Sequence, residues 1–423
     1  MSGPPVSGPA PVSGPPVAPA GSTWLSRNLL VLCGVSFLQD AASELVYPLL
    51  PIFLTAVLGA PVAVVGAVEG VAEGAAALTK LLAGRLADRF PRRPLIGAGY
   101  GLAALGKVLV AAAFSWPVVL AGRGVDRLGK GIRGAPRDAL LVVGVPEAAR
   151  GRAFGLHRAA DTAGAVLGPL IGLAGYQLLH QHIRPLLVLA VVPAVLSALL
   201  VLAVREAPAS GREPTAARRP VRKDSVGTAA AAPLPARYWR VVGVLVLFGL
   251  VNFPDALLLL RVHQLGFSVA GVVGAYVLYN LVYAVLSYPA GALSDRWPRP
   301  RVFALGLTCF AVCYLGLGLA HDGRWVLPLL LVYGGFAAAT DGVGKAWVSS
   351  LVPGSRQGSA QGTFQGLSGG AVLVAGLWAG FAWNTTGRLP LLLSGTVAAV
   401  LAVGLFLSAY GGSAGSRTAR VAG

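Results

Sequence analysis

Five cations and two anions crowd into sixteen residues of an otherwise apolar chain: Arg123, Asp126, Arg127, Lys130, Arg133, Arg137 and Asp138. Mixed charge inside an apolar run can bind a charged solute, pass protons, or form ion pairs that exchange partners when helices move. Other ionisable residues recur at four-residue spacing: Asp40 with Glu44, Glu69 with Glu73, His157 with Asp161, and Asp341 with Lys345, while Asp255 stands alone. A four-residue step puts both members on one helix face. Burial and a neighbouring cation act on a carboxyl in opposite senses, so carboxylates beside arginines suit reversible proton binding. Asp40, Glu44 and His157 are also of metal-ligating types, but no metal is expected.

The element that presents these charges is a helix. Placed at about 100° per residue, the seven charges from Arg123 to Asp138 occupy an arc of roughly 140°, with Val125, Leu128 and Ile132 outside it. Pro136 is expected to kink the last turns. One charge at the bilayer centre costs about 2.5–3.5 kcal/mol even on lenient scales, so this face must line water or meet counter-charges from other helices.

The chain of 423 residues is 55% hydrophobic and only 12% charged, with a mean hydropathy of +0.71. That balance excludes an ordinary soluble domain and indicates a polytopic membrane protein. The net charge of +18 lies mostly in short connectors between apolar runs, so lipid rather than nucleic acid is the expected partner. Cys33, Cys309 and Cys313 all fall in apolar runs and read as buried hydrophobes. No nucleotide-phosphate loop or His-rich cluster is present, so neither an enzyme nor an ATP-driven pump is expected, and no cofactor.

Apolar windows near 29–57, 62–83, 95–114, 117–143, 153–178 and 186–204 precede a second set near 238–262, 269–289, 302–320, 326–350, 361–383 and 390–410. Each is long enough to cross about 30 Å of hydrocarbon. The expected organisation is a Pro/Gly/Ser-rich tail (1–28), a six-helix bundle (29–204), a basic linker (205–237), a second six-helix bundle (238–410) and a short tail (411–423). The halves repeat. "GRLADRFPRRP" (84–94) aligns with "GALSDRWPRPR" (291–301), and "VPEAARGRAFG" (145–155) with "VPGSRQGSAQG" (352–362), both at an offset of 207 residues. Two separated motifs at one offset mark internal duplication, and six spans per half make the repeats parallel. Cations gather in the connectors after even-numbered spans, placing both termini in the cytoplasm.

These features resemble the major facilitator superfamily of secondary transporters. Its loop signature G-x-x-x-D-R-x-G-R-[RK] is matched by Gly84, Asp88, Arg89, Arg92 and Arg93, with Pro91 replacing the usual glycine. The second copy keeps Gly291, Asp295, Arg296 and Arg299. Arg123 falls where the family keeps an arginine in helix four. "GAVLGPLIG" resembles the helix-five signature of exporters and proton antiporters through Gly164, Gly168, Pro169 and Gly172, whose alternative role is close helix packing. The resemblance implies an all-α membrane protein with twelve transmembrane helices in two parallel-repeat bundles, in the bacterial cytoplasmic membrane. It also implies that Asp88 meets the start of span eleven near Gln361 and Asp295 the start of span five near Ala153, anion against helix N-terminus.

The function expected is alternating-access transport of a small solute, led by proton-coupled efflux. The alternatives are proton-coupled uptake of an anionic or iron-chelate solute, favoured by the helix-four cations, and a transport-inactive receptor or scaffold. The expected solute or proton cavity comprises Asp40, Glu44, Glu69, Glu73, Arg123, Asp126, Arg127, Lys130, His157, Asp161, Asp255, Asp341 and Lys345. The expected cytoplasmic gate comprises Gly84, Asp88, Arg89, Arg137, Asp138, Gly291, Asp295 and Arg296. Arg123, Asp126 and Arg127 have a static buried ion pair as their alternative, and Asp341 and Lys345 could neutralise one another.

Overall fold

A computed structural model describes residues 24–47, 50, 53–60, 62–180, 182–205, 234–383 and 386–418. The expected linker and both tails fall largely outside these residues. Helices α1 (Arg27–Val46), α2 (Val62–Arg89), α3 (Arg92–Ala111), α4 (Trp116–Leu141), α5 (Arg150–Leu178) and α6 (Ile183–Leu200) build the first bundle. The second contains α7 (Ala236–Gly249), α8 (Asp255–Gln264), α9 (Val269–Arg296), α10 (Arg299–Leu319), α11 (Val326–Ser349), α12 (Gln357–Phe381) and α13 (Arg388–Thr418).

Local signals set several boundaries. Ser26 caps α1 by accepting from the Leu29 N–H. Pro91 and Pro298 stand at the N-caps of α3 and α10, so the duplicated proline stops one helix and starts the next in both halves. Pro136 does not end α4, which continues to Leu141.

Span seven is not the single helix expected over 238–262. It divides into α7 and α8, because Pro254 has no N–H for the ladder and disfavours helical geometry in the residue before it. Asp255 therefore opens α8 rather than sitting mid-helix. In the matching place of the first half, α1 stops at Val46 and a short π-helical turn occupies Phe53–Val57.

Seven helices are long and apolar enough to cross a membrane among the described residues: α3, α6 and α9 to α13. The remaining spans are those that hold the charge clusters or the break.

Within the first bundle α1 packs on α5 and α6, and α4 on α2 and α3; in the second, α10 packs on α11 and α13, and α9 on α11. The bundles meet along α5 with α9 and α2 with α12. The offset of 207 residues carries α2 onto α9 and α5 onto α12, so the two seams are related by the duplication.

Candidate functional site

Glycine sets how closely the seams approach. A Cβ on Gly84 of α2 would stand 2.7 Å from Gly362 Cα and 2.8 Å from Gly358 O of α12. A Cβ on Gly291 of α9 would collide with Gly151 O of α5. With the helices in contact, each duplicated aspartate meets exposed backbone N–H groups. Asp88 accepts from Gly358 and Ser359, both at 2.8 Å, and Asp295 accepts from Gly151 at 2.7 Å and Arg152 at 3.0 Å. Each carboxylate thus lies across a helix N-terminus, where the orphan donors and the dipole favour an anion. Arg89 and Arg296 are exposed on the rim and take no part in these clamps. Two motif arginines cross instead: Arg92, donating to Gly354 O at 3.2 Å, and Arg299, donating to Glu147 O at 2.8 Å. These two contacts again map onto each other at the common offset. Arg92 and Arg299 stand within the quoted motif, and the duplication was the signal that could have paired them.

Deeper in the molecule, charges join the bundles. Asp138 of α4 is 0% exposed; it accepts from Arg137, from Lys345 of α11 and from Gln365 of α12, each at 3.0 Å. Arg137 also donates to Ser36, which shares a hydrogen bond of 2.8 Å with His157. One turn along, Arg158 of α5 pairs with Asp161 at 2.5 Å and crosses to Asp341 of α11, which also accepts from Tyr283 at 2.7 Å. Asp341 and Lys345 therefore do not neutralise one another. Each meets a partner in the opposite bundle, because α11 faces α5 and α4 rather than standing isolated in lipid.

Two carboxylates of α1 face the same region. Glu44 accepts from Tyr276 of α9 at 3.3 Å, and Asp40 lies in the field of Asp161, Lys130 and Arg133. They are held there by α5: Cβ atoms on Gly164 and Gly168 would strike the α1 backbone at Phe37 and Ala41, and Gly172 sits against Leu45. Gly164, Gly168 and Gly172 thus form a smooth track for α1, with Pro169 buried among them.

The helix-four charges divide by depth and direction. Arg123 and Asp126 are both 4% exposed, and Asp126 pairs with Lys107 of α3 at 3.1 Å and more loosely with Arg123 at 3.6 Å. These contacts form a buried cluster of ion pairs, which includes a lysine that sequence reasoning passed over. Arg133 is also buried, its guanidinium 4.4 Å above the Tyr100 ring. Arg127 is buried and Lys130 exposed. Glu69 and Glu73 lie on α2, but their side chains are outside the described residues.

Asp255 occupies a different setting, a cavity of about 280 Å³ within the second bundle. Its carboxylate accepts from Tyr279 and Tyr333, both at 2.6 Å. Asp341, Tyr283, Phe248, Phe336 and Phe364 line the same cavity. The tyrosines and Arg158 escaped sequence reasoning. An aromatic residue in an apolar run reads as packing, whereas Arg158 carried a signal, standing three residues before Asp161 on one face.

The superfamily model for the Major Facilitator Superfamily matches residues 32–278 and 256–421. The chain belongs to the Major Facilitator Superfamily. A Methanocaldococcus jannaschii protein described as an uncharacterized MFS-type transporter is 30% identical over 390 residues, covering 90% of this chain and 94% of that one. A multidrug resistance protein, MdtH of Photorhabdus laumondii, is 33% identical over 148 residues, 35% of each chain. Among solved structures, the human organic anion transporter MFSD10 superposes with a TM-score of 0.73 at 18% identity, covering 90% of this chain and 99% of that one. The proton:xylose symporter XylE gives 0.74 at 16% identity, over 90% and 94%. At such identities these two establish the fold alone: twelve helices in the superfamily arrangement, in a multi-pass membrane protein.

Proposed function

We propose that this chain exports a small solute across the bacterial cytoplasmic membrane in exchange for protons, by alternating access. The supporting observation is that Arg158–Asp341 and Lys345–Asp138 bridge the two bundles beneath a closed rim. Such pairs hold one conformation and must break when the bundles rock apart, so a proton or solute that competes for a carboxylate can drive the change. In this reading the bundles at 29–204 and 238–410 are the moving units, the rim carrying Asp88 and Asp295 faces the cytoplasm with both termini, and that side is shut. The export direction draws on the helix-five glycine track and on relatives named for drug resistance, which match about a third of the chain. The site does no covalent chemistry in this reading. Solute-driven proton flux in liposomes of the purified protein tests it: solute moving one way should carry protons the other. Solute and protons moving in the same direction, or solute flux without protons, would overturn the antiport assignment.

A further inference from the structure

The geometry points to an organic cation as the solute, with its positive group seated between Asp255 and the tyrosine faces of the second-bundle cavity. This inference rests on the transporter reading and names the chemistry of its cargo.

The first observation is the charge balance. Three of the five cations of helix four are engaged inside the first bundle or at the seam: Arg123, which shares Asp126 with Lys107 of α3, Arg133 over Tyr100, and Arg137 on Asp138. That pattern weakens the argument for an anionic solute drawn from helix four. At the second-bundle cavity, whose lining holds Asp255 and Asp341 and, among the described residues, no lysine or arginine, the balance is reversed. Asp341 has Arg158, but Asp255 is met by two phenols, and among the described residues no cation lies in ion-pair range of it. Phenols donate hydrogen bonds without supplying charge, and an uncompensated carboxylate at membrane depth is costly. A cationic occupant would complete the site.

The second observation is the wall. Tyr279 and Tyr333 stand edge to face with ring centroids 5.2 Å apart, and Tyr333 lies 5.3 Å from Phe336. Aromatic faces attract an ammonium through their quadrupoles, most strongly where water is displaced. Hydrogen bonds from Tyr279 and Tyr333 to opposite oxygens of Asp255 fix the rings and the carboxylate together. The same wall offers Ser368 Oγ, which has no hydrogen-bond partner among the described residues. A carboxylate framed by aromatic faces in about 280 Å³ suits a compact ammonium with an apolar body.

Binding to the detergent-purified full chain, followed by calorimetry, tests this without any need for transport. The probes are benzyltrimethylammonium and benzenesulfonate, similar in size and opposite in charge. The ammonium should bind and the sulfonate should not, at least tenfold apart in affinity. Asp255→Asn should lower ammonium affinity about tenfold or more. Tyr279→Phe, which keeps the ring and frees an oxygen of Asp255, should retain binding, while Tyr279→Leu should lose about threefold to thirtyfold. Equal binding of the two probes, preference for the sulfonate, or no binding of the ammonium overturns the proposal, and the comparison of probes on the unaltered chain needs no variant to fold. Ammonium binding without proton-coupled flux in liposomes would leave the cation site standing and remove the antiport reading; coupled flux of anions alone would do the reverse.

Discussion

Lys345 and Asp138 show what one side chain contributes here. Asp138 has no exposure to solvent and gathers three donors, of which Arg137 belongs to its own helix while Lys345 and Gln365 belong to the other bundle. Lys345→Met should remove one charged partner and cost the closed state about 1.5–3 kcal/mol, the usual range for hydrogen bonds to charged groups. A lower thermal midpoint of the purified protein by tryptophan fluorescence is expected, with Lys345→Arg retaining most of the stability; an unchanged midpoint for Lys345→Met would remove the pair from the energetics of closure. At this scale the sequence was only partly legible. The four-residue spacing placed Asp341 and Lys345 on one face, and they are, but a helical wheel sees only its own helix and suggested mutual neutralisation. Their partners, Arg158 and Asp138, lie in the opposite bundle. Lys107 was overlooked for the opposite reason: it is a lone charge in an apolar span, and a lone charge at that depth is itself a sign of a buried partner. The phenols around Asp255 carried no such signal.

Among the elements, the seams are the most demanding, because there the backbone itself is the contact surface. A side chain at Gly84 would press on Gly362 Cα and Gly358 O, neither of which can move without displacing α12. Gly84→Leu should therefore prevent the α2–α12 seam from closing, whereas Gly74→Leu on the same helix, with nothing within 4 Å of its Cβ position, should be tolerated. Cross-linking between Arg92→Cys and Gly354→Cys by a short bifunctional thiol reagent, in a background without Cys33, Cys309 and Cys313, reads this directly, because a Cβ on Gly354 meets nothing within 4 Å; efficient cross-linking in the Gly84→Leu protein would show that the seam closes by another geometry. These glycines, prolines and aspartates were visible in the sequence as a repeat because only those residue types satisfy the crossing, the helix start and the clamp. The break in the seventh span was also written there, in Asn252-Phe253-Pro254-Asp255, but a hydropathy window averages across a proline that separates two apolar segments. The helix-five track was legible as small residues, and the structure adds its partner: α1, at the level of Asp40 and Glu44.

For the whole molecule, duplication makes the two clamps equivalent, and one residue makes them unequal. Asp88 and Asp295 each accept two backbone N–H groups at a helix start, a contact worth up to about 2 kcal/mol when partly buried. Asp88→Asn and Asp295→Asn should each move the population towards opening on the rim side, and the effects should add because the seams share no side chain. Trp24 breaks this symmetry. Trp24, just ahead of α1, stacks on Tyr288 of α9 at 6.0 Å, and Arg152, which also holds Asp295 at 3.2 Å, lies 5.3 Å over its ring. Trp24 is thus laid across the α5–α9 seam. A cation–π contact at such a partly exposed place contributes about 0.5–1 kcal/mol, less than the aspartate clamp it supports. Trp24→Ala should therefore loosen the α5–α9 seam by roughly twofold to fivefold in the ratio of open to closed states and leave α2–α12 unchanged. Cysteine pairs across each seam, cross-linked in parallel, measure the two separately. Equal loosening of both would mean that the bundles open as one rigid hinge, with Trp24 acting on the pair; loosening of α5–α9 alone would mean that the seams can yield one after the other, and that Trp24 sets the order.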